Sequence, residues 1–331
     1  MLMDFWASQL KSEKLWDNHP RFMIKTTASA LSWDEWAKKQ GVKVVNVPVG
    51  FKEIANIMKK VELQLKKHPE KDVVVDDVLG NSINLGKNPR LLFGGEESGG
   101  MIMGTEELIK SLAGRSAVAM REKSATEAIV VASALIAKLG ETPLSSHLKT
   151  IFDENKIIGR YDTRVDIAYY NESEPDINKL KEAKTLGEAK RTKNDLFYLT
   201  MAIAVKEGIM TLDDVKEVLN DAFKSLIFDN LKSIKFVGDG TYLEFSDKYI
   251  EIRPSGTDAK TKAYGGGLDK GILETYAGAM GNYSGERTEL HKKHINDKFY
   301  DNAKDVAMKY YLKFVEKDAN NEPFVIPEYN F

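Results

Sequence analysis

The chain of 331 residues contains no cysteine, which excludes a disulfide framework, thiolate metal sites and cysteine nucleophiles. Neither sign of charge is in excess: 48 basic residues face 50 acidic ones, a formal net charge of −2. A balanced surface makes no field able to hold nucleic acid or an anionic membrane by itself, so neither is expected as a partner, and any anion site has to be built locally. Long apolar runs are also missing. The longest, Ile129 to Ala137, is about half of what a bilayer crossing requires and reads as a buried helix. Near the N-terminus Asp4, Lys11, Glu13 and Lys14 interrupt the apolar residues, which leaves no uncharged stretch of the export type. The expectation is a soluble, cytoplasmic protein.

The length suffices for two ordinary domains. From Phe22 to about Gly140, short apolar runs alternate with helical periodicity, which predicts a sheet flanked by helices. Met23–Thr27 and Val42–Val47 read as strands. Between them lies a helix around Trp33–Lys39, stopped at Gly41. Phe51, Ile54, Met58, Val61 and Leu65 recur at spacings of three and four, as one face of a helix does. Val73–Leu92 reads as short strands and turns leading into the buried strand Leu91–Phe93. Beyond about Thr150 the pattern changes. Val165, Ile167 and Tyr169 alternate as a half-wet strand, and Thr211 with Asp214 resembles a capping box opening the helix of Val215, Val218, Leu219, Phe223 and Leu226. Three strands follow around Ile234/Phe236, Leu243/Phe245 and Ile250/Ile252, separated by the turns Gly238-Asp239-Gly240 and Ser246-Asp247-Lys248. Phe299, Ala303, Val306, Tyr310 and Phe314 mark a last amphipathic helix, and the tail after it is assigned no structure.

Two loops have the residue types for chemistry. Arg253-Pro254-Ser255-Gly256-Thr257 ends a strand and offers a guanidinium fork, two hydroxyls and backbone N–H groups that a glycine leaves approachable, a set suited to a phosphate dianion. Gly94-Gly95-Glu96-Glu97-Ser98-Gly99-Gly100 follows the buried run Leu91–Phe93. Its glycines allow a tight loop, and its carboxylates and hydroxyl suit a small polyol such as a sugar. Taken singly, either loop also fits an ordinary polar turn. The two in this order and spacing are specific.

Together they resemble the α-D-phosphohexomutases, the phosphoglucomutase/phosphomannomutase family. Gly95-Glu96-Glu97-Ser98-Gly99 is similar to the sugar-binding loop of that family's third domain, and Arg253-Pro254-Ser255-Gly256-Thr257 to the phosphate-binding loop of its fourth. Val47-Pro48-Val49-Gly50-Phe51-Lys52, Lys25-Thr26-Thr27-Ala28-Ser29 and Arg121-Glu122-Lys123 resemble further third-domain segments. The likeness runs from about residue 20 to about 265, with 171–230 fitting poorly. It implies an α/β protein: an α/β/α sandwich domain with a mixed sheet over 21–150, after a lead-in over 1–20, then a smaller α+β domain with an antiparallel meander over 151–331. It also implies sugar contacts from Glu96, Ser98, Lys123, Gly50, Phe51 and Lys52, and phosphate contacts from Arg253, Ser255, Gly256 and Thr257. Lys25-Thr26-Thr27-Ala28-Ser29 is expected to be structural, since no His-Asn-Pro follows Ser29 as it follows the family's phosphoserine.

The resemblance stops short of the catalytic half. In the family a first-domain serine carries the phosphoryl group and a second-domain aspartate loop binds Mg2+, with glucose 1,6-bisphosphate as intermediate. This chain has no Asp-x-Asp, so the ligands of an expected Mg2+ are sought outside it, and no catalytic or metal residue is assigned. Local departures are Ser124 after Lys123, Val49 in the Gly50 loop, and Asp258-Ala259 in place of the more usual Glu-Pro. His291 and His294 read as part of an exposed polar face. The implied function is the C-terminal part of a phosphohexomutase, an isomerase acting by intramolecular phosphoryl transfer. It would bind a hexose phosphate, stay inactive alone, and meet N-terminal mutase domains in a longer chain or a separate subunit. The alternative is a non-catalytic hexose-phosphate binding or regulatory module.

Overall fold

The computed structural model describes residues 1–316 except 113 and 115. The chain divides into two compact units, one of Met1–Ile158 that also takes residues 312–316, and one of Gly159–Tyr311. Among the described residues no single helix is long and apolar enough to cross a membrane.

The first unit is an α/β/α sandwich. Its elements are α1 (Leu2–Ser12), β1 (Arg21–Thr26), α2 (Leu31–Gln40), β2 (Lys43–Val47), α3 (Phe51–Lys67), the hairpin β3 (Asp72–Asp76) and β4 (Ser82–Lys87), β5 (Arg90–Gly95), β6 (Met101–Met103), a short ladder β7 (Ile109–Lys110) and β8 (Ser116–Ala117), α4 (Ala125–Leu139) and α5 (Leu144–Glu154). The central sheet runs β2-β1-β5-β6; the first three strands are parallel and β6 is antiparallel to β5. Because successive side chains point to opposite faces, β1 feeds two cores. Phe22 and Ile24 pack with Val45, Val47, Leu91 and the α3 residues Ile54, Ile57, Met58 and Val61. Met23 packs with Leu92, Phe93, Trp36, Ala37 and Ile151. Every residue of β1 is buried, as a central parallel strand covered on both faces requires. Gly41 ends α2 in the left-handed conformation at φ 72°, its N–H closing on the last turn.

Two sequence expectations change here. Residues 1–20, read only as a lead-in, carry α1, whose Met3, Ala7 and Leu10 join the Met23 core. The run Ile129–Ala137 is helical but largely not buried: within α4 only Leu135 is enclosed, while Ile129, Val130 and Ile136 are exposed. Hydropathy alone does not distinguish a helix buried all round from one packed along a single stripe.

The second unit is α+β. It comprises β9 (Tyr161–Ala168), α6 (Ile177–Lys206), α7 (Leu212–Ala222), the meander β10 (Leu231–Phe236), β11 (Thr241–Phe245), β12 (Lys248–Pro254) and β13 (Lys260–Gly267), α8 (Lys270–Gly281), α9 (Glu289–His294) and α10 (Asp297–Glu316), whose C-terminal end passes to the first unit. The sheet order β10-β11-β12-β13-β9 is antiparallel throughout, so the three-strand meander read from sequence is a four-strand meander with β9 added at its edge. Ile234, Leu243, Phe245, Ile250, Ile252 and Ala263 pack against α6, α7 and α8. The capping box at Thr211 is complete, with both reciprocal hydrogen bonds formed.

Two features of this unit escaped the sequence reading. One is the 30-residue α6. Its first half is charged and mostly exposed, its last turns almost wholly buried, and no single stripe runs its length. His291, expected on an exposed polar face, is instead fully buried, stacked on Phe197 at 5.0 Å, and shares a hydrogen bond with Thr200 Oγ1. Arg287 Nε donates to its Nδ1.

Candidate functional site

The parallel arrangement of β2, β1 and β5 brings their carboxyl ends to one edge of the first unit's sheet, Thr26 pairing with Val47 and Lys25 with Gly95. The loops after them, 27–30, 48–50 and 96–100, therefore share an edge where open α/β sheets bind ligands. Sequence reasoning placed site residues on the last two and read 27–30 as structural.

Glu96 to Gly100 form a tight turn, with Glu96 N–H donating to Gly100 O at 2.9 Å and Gly99 N–H to Glu96 O at 3.1 Å. Gly99 takes φ 87°, which favours glycine. The Glu96 side chain is buried, and its Oε1 accepts from Ser98 Oγ and from Lys123 Nζ, each at 2.9 Å. Three residues chosen from two separate motifs thus meet on one carboxylate oxygen. Lys123 is half-exposed, and its pKa is raised first by this hydrogen bond and then by the Glu96 charge. Gly100 makes the meeting possible, since a Cβ there would lie 2.3 Å from Glu96 Oε1 and 2.9 Å from Lys123 Cδ. Gly95 is confined too, by Phe93 and Trp33, which pack edge to face. The second carboxylate, Glu97, accepts from Thr26 Oγ1 at 2.9 Å, and Thr26 is itself bonded to Ser29. Lys25, buried, donates to Ser29 O and Ala30 O and pairs with Asp34. The Lys25–Ser29 segment therefore braces the loop from beneath. Gly50, at φ 125°, starts α3; Lys52 projects outward with Nζ 3.6 Å from Glu53, and Phe51 is turned into the core beside Ile54.

In the second unit, β12 delivers Arg253 and the loop to β13. Arg253 is mostly buried and pairs with Asp239 on the β10–β11 turn. Burial alone would lower its pKa, but the Asp239 carboxylate outweighs that and raises it. Gly240 lets the turn approach, because a Cβ there would sit 2.9 Å from Arg253 Cβ. Ser255 is buried, its N–H donating to Lys260 O at 2.8 Å, while Gly256 and Thr257 are exposed at the tip. Nothing would meet a Cβ at Gly256, so the tip is open.

Sequence reasoning missed what holds this loop. Arg191 on α6 donates through Nη1 to Ser255 O and to Asp258 O, both at 2.8 Å. Asp258 accepts from the Tyr170 hydroxyl at 2.7 Å, from Ala259 N–H at 2.9 Å, and lies 3.3 Å from Lys184 Nζ. Its pKa falls to about 2, chiefly through the Tyr170 hydrogen bond. These groups come from segments with no motif, so no local pattern announced them. Among the described residues no three acidic, histidine or cysteine side chains converge as a metal site would need. The described residues therefore offer no set that fits Mg2+.

Residues 1–154 match the family model of the phosphoglucomutase/phosphomannomutase α/β/α domain III. No curated protein matches the sequence. Among solved structures, the chain is similar to a phosphoglucomutase/phosphomannomutase family protein from Burkholderia thailandensis, with 11% identity over 93% of this chain and 41% of that one, at TM-score 0.38. It is similar to pp63/parafusin, a phosphoglucomutase from Paramecium, with 14% identity over 98% and 43%, at TM-score 0.41. An N-acetylphosphoglucosamine mutase from Aspergillus fumigatus, in complex with glucose 1,6-bisphosphate, gives 12% identity over 85% and 41%, at TM-score 0.40. The chain thus spans only about two fifths of the length of these proteins. Residues 1–154 thus carry a domain III of the phosphoglucomutase/phosphomannomutase kind.

Proposed function

We propose that the chain is the hexose-phosphate-gripping part of a phosphohexomutase and serves intramolecular phosphoryl transfer by positioning. The observation that carries this reading is the convergence of Ser98 Oγ and Lys123 Nζ on Glu96 Oε1 at the carboxyl edge of the family-matched domain. With the Ser98 proton and one Lys123 proton given to Glu96, the cluster offers acceptor lone pairs on the carboxylate and the hydroxyl and further N–H donors on the ammonium, the complement of adjacent ring hydroxyls. Gly50 and Lys52 lie at the same edge. The second unit takes the phosphate: Arg253 supplies fixed charge, and Ser255, Gly256 and Thr257 supply hydroxyl and N–H donors. Phosphoryl transfer needs its substrate aligned and its charge neutralised, and these residues do both without attacking. The phosphorylated serine and the Mg2+ ligands belong to domains outside this chain, so the chain alone is inactive.

Titration calorimetry with glucose 1,6-bisphosphate tests the reading. The wild type is expected to bind, and Glu96→Gln and Arg253→Met each to weaken binding about tenfold, the order of one charge-assisted hydrogen bond. Wild-type binding that neither substitution changes would refute the assignment. Interconversion of glucose 1-phosphate and glucose 6-phosphate by this chain alone, above blank, would refute its inactivity.

A further inference from the structure

The loop 255–259 departs from the family pattern, and the helix packed beneath it lies where the family likeness is poorest. The two departures meet in the structure. Where the family more usually has proline, Ala259 carries an N–H, and that N–H donates to Asp258 Oδ1 at 2.9 Å, a bond proline cannot make. Asp258 O in turn accepts from Lys260 N–H at 2.8 Å and from Arg191 Nη1 at 2.8 Å. Arg191 Nη1 also reaches Ser255 O at 2.8 Å, so one guanidinium nitrogen ties both ends of the tip Ser255–Asp258. The helix carrying Arg191 comes this close because position 187, one turn earlier, is glycine: a Cβ there would lie 3.2 Å from Ala259 Cβ and 3.3 Å from Tyr169 O. Arg191 Nε and Arg253 Nε are both buried with no acceptor.

We infer that Arg191 is a positioning residue for anion binding: by holding the carbonyls of Ser255 and Asp258 inward from α6, it leaves the N–H groups of Gly256 and Thr257 and the Thr257 hydroxyl outward at the exposed tip, toward a phosphate. The fixed φ of the more usual proline is replaced by a tertiary clamp. This rests on reading 253–257 as a phosphate loop, and pre-organisation of that kind raises affinity by lowering the ordering cost of binding.

The test is an NMR titration of the full chain with inorganic phosphate at low ionic strength, following the amides of Gly256 and Thr257. Wild-type amides are expected to shift saturably, with binding about tenfold weaker in Arg191→Met and intermediate in Arg191→Lys, which keeps the charge but loses the planar fork. Gly187→Ala favours the helix intrinsically while pressing α6 away from Ala259, and is expected to weaken phosphate at least threefold without loss of thermal stability. It carries the test if Arg191→Met does not fold. Wild-type amides that do not respond would sink the phosphate-loop reading and this inference together. A responding wild type with Arg253→Met impaired, but with Arg191→Met or Gly187→Ala within twofold of wild type, would overturn the inference alone. Arg191→Lys equal to wild type beside an impaired Arg191→Met would show a role of charge and overturn positioning.

Discussion

The second unit holds two buried ionisable groups whose pH dependences oppose each other, and replacing either should uncover the other. Asp195 on α6 is nearly enclosed, with Lys304 Nζ at 3.7 Å. Burial raises its pKa from 3.8 to about 6, with Lys304 and Arg191 pulling down and Asp239 pushing up. His291 is driven from 6.5 to about 4, first by burial and then by the Arg287 charge. Each departure of about two units corresponds to roughly 3 kcal/mol between the folded and unfolded chain. The signs differ. The raised Asp195 pKa gives stability present below pH 3.8 and lost as pH rises through about 6. The lowered His291 pKa gives stability present above pH 6.5 and lost as pH falls toward 4. Between pH 4 and 7 the two nearly cancel in the wild type. In Asp195→Asn the unfolding free energy, taken relative to wild type, should fall by about 3 kcal/mol from pH 7 to 4; in His291→Gln it should rise by about as much. The sequence supplies the probes, because all four tryptophans precede residue 37 and every tyrosine follows residue 160. Urea unfolding followed by tyrosine near-ultraviolet dichroism reports the second unit, and tryptophan fluorescence the first. Parallel pH profiles for wild type and Asp195→Asn would refute the assignment of a buried, proton-binding carboxylate.

Two further substitutions probe one unit each. Gly104→Ala would place a Cβ 1.6 Å from Leu91 O, where β5 and β6 meet, and should destabilise the first unit by about 3 kcal/mol or more in tryptophan-monitored urea unfolding; a loss under about 1 kcal/mol would contradict the close approach. Thr211→Ala removes half of the capping box and should cost about 1 kcal/mol in the tyrosine signal, with Thr211→Ser recovering most of it.

How much of this was legible in the sequence depends on the range of the interaction. Strand β1, helix α3 and the Thr211 cap were readable because each is fixed by neighbours within a few residues, through alternation, a spacing of three and four, or a reciprocal pair of side chains. The burial of His291 was not, because the Lys292-Lys293 pair beside it suggests water, whereas Phe197, more than ninety positions earlier, supplies the surface it stacks on. The long α6 was hidden for a related reason: its charged first half and apolar last turns show no common stripe, so no single window carries its signature.

The candidate sites divide along the same line. The acceptors and donors of the Glu96 loop were legible as a motif, and Lys123 as another, but their meeting on one oxygen needed the sheet: parallel β1 and β5 present the loop, antiparallel β6 returns the chain, and Lys123 lies against Gly100 only because that residue has no side chain. At the Arg253 loop the donors were legible and their support was not. Asp239 comes from a turn fourteen residues earlier and Arg191 from a helix sixty-four residues before Ser255. A motif names the groups that touch a ligand. The groups that aim it are chosen by tertiary distance, as Arg191 on α6 holds Ser255 O and Asp258 O, so substitutions on α6 probe the loop's shape more directly than substitutions within the loop.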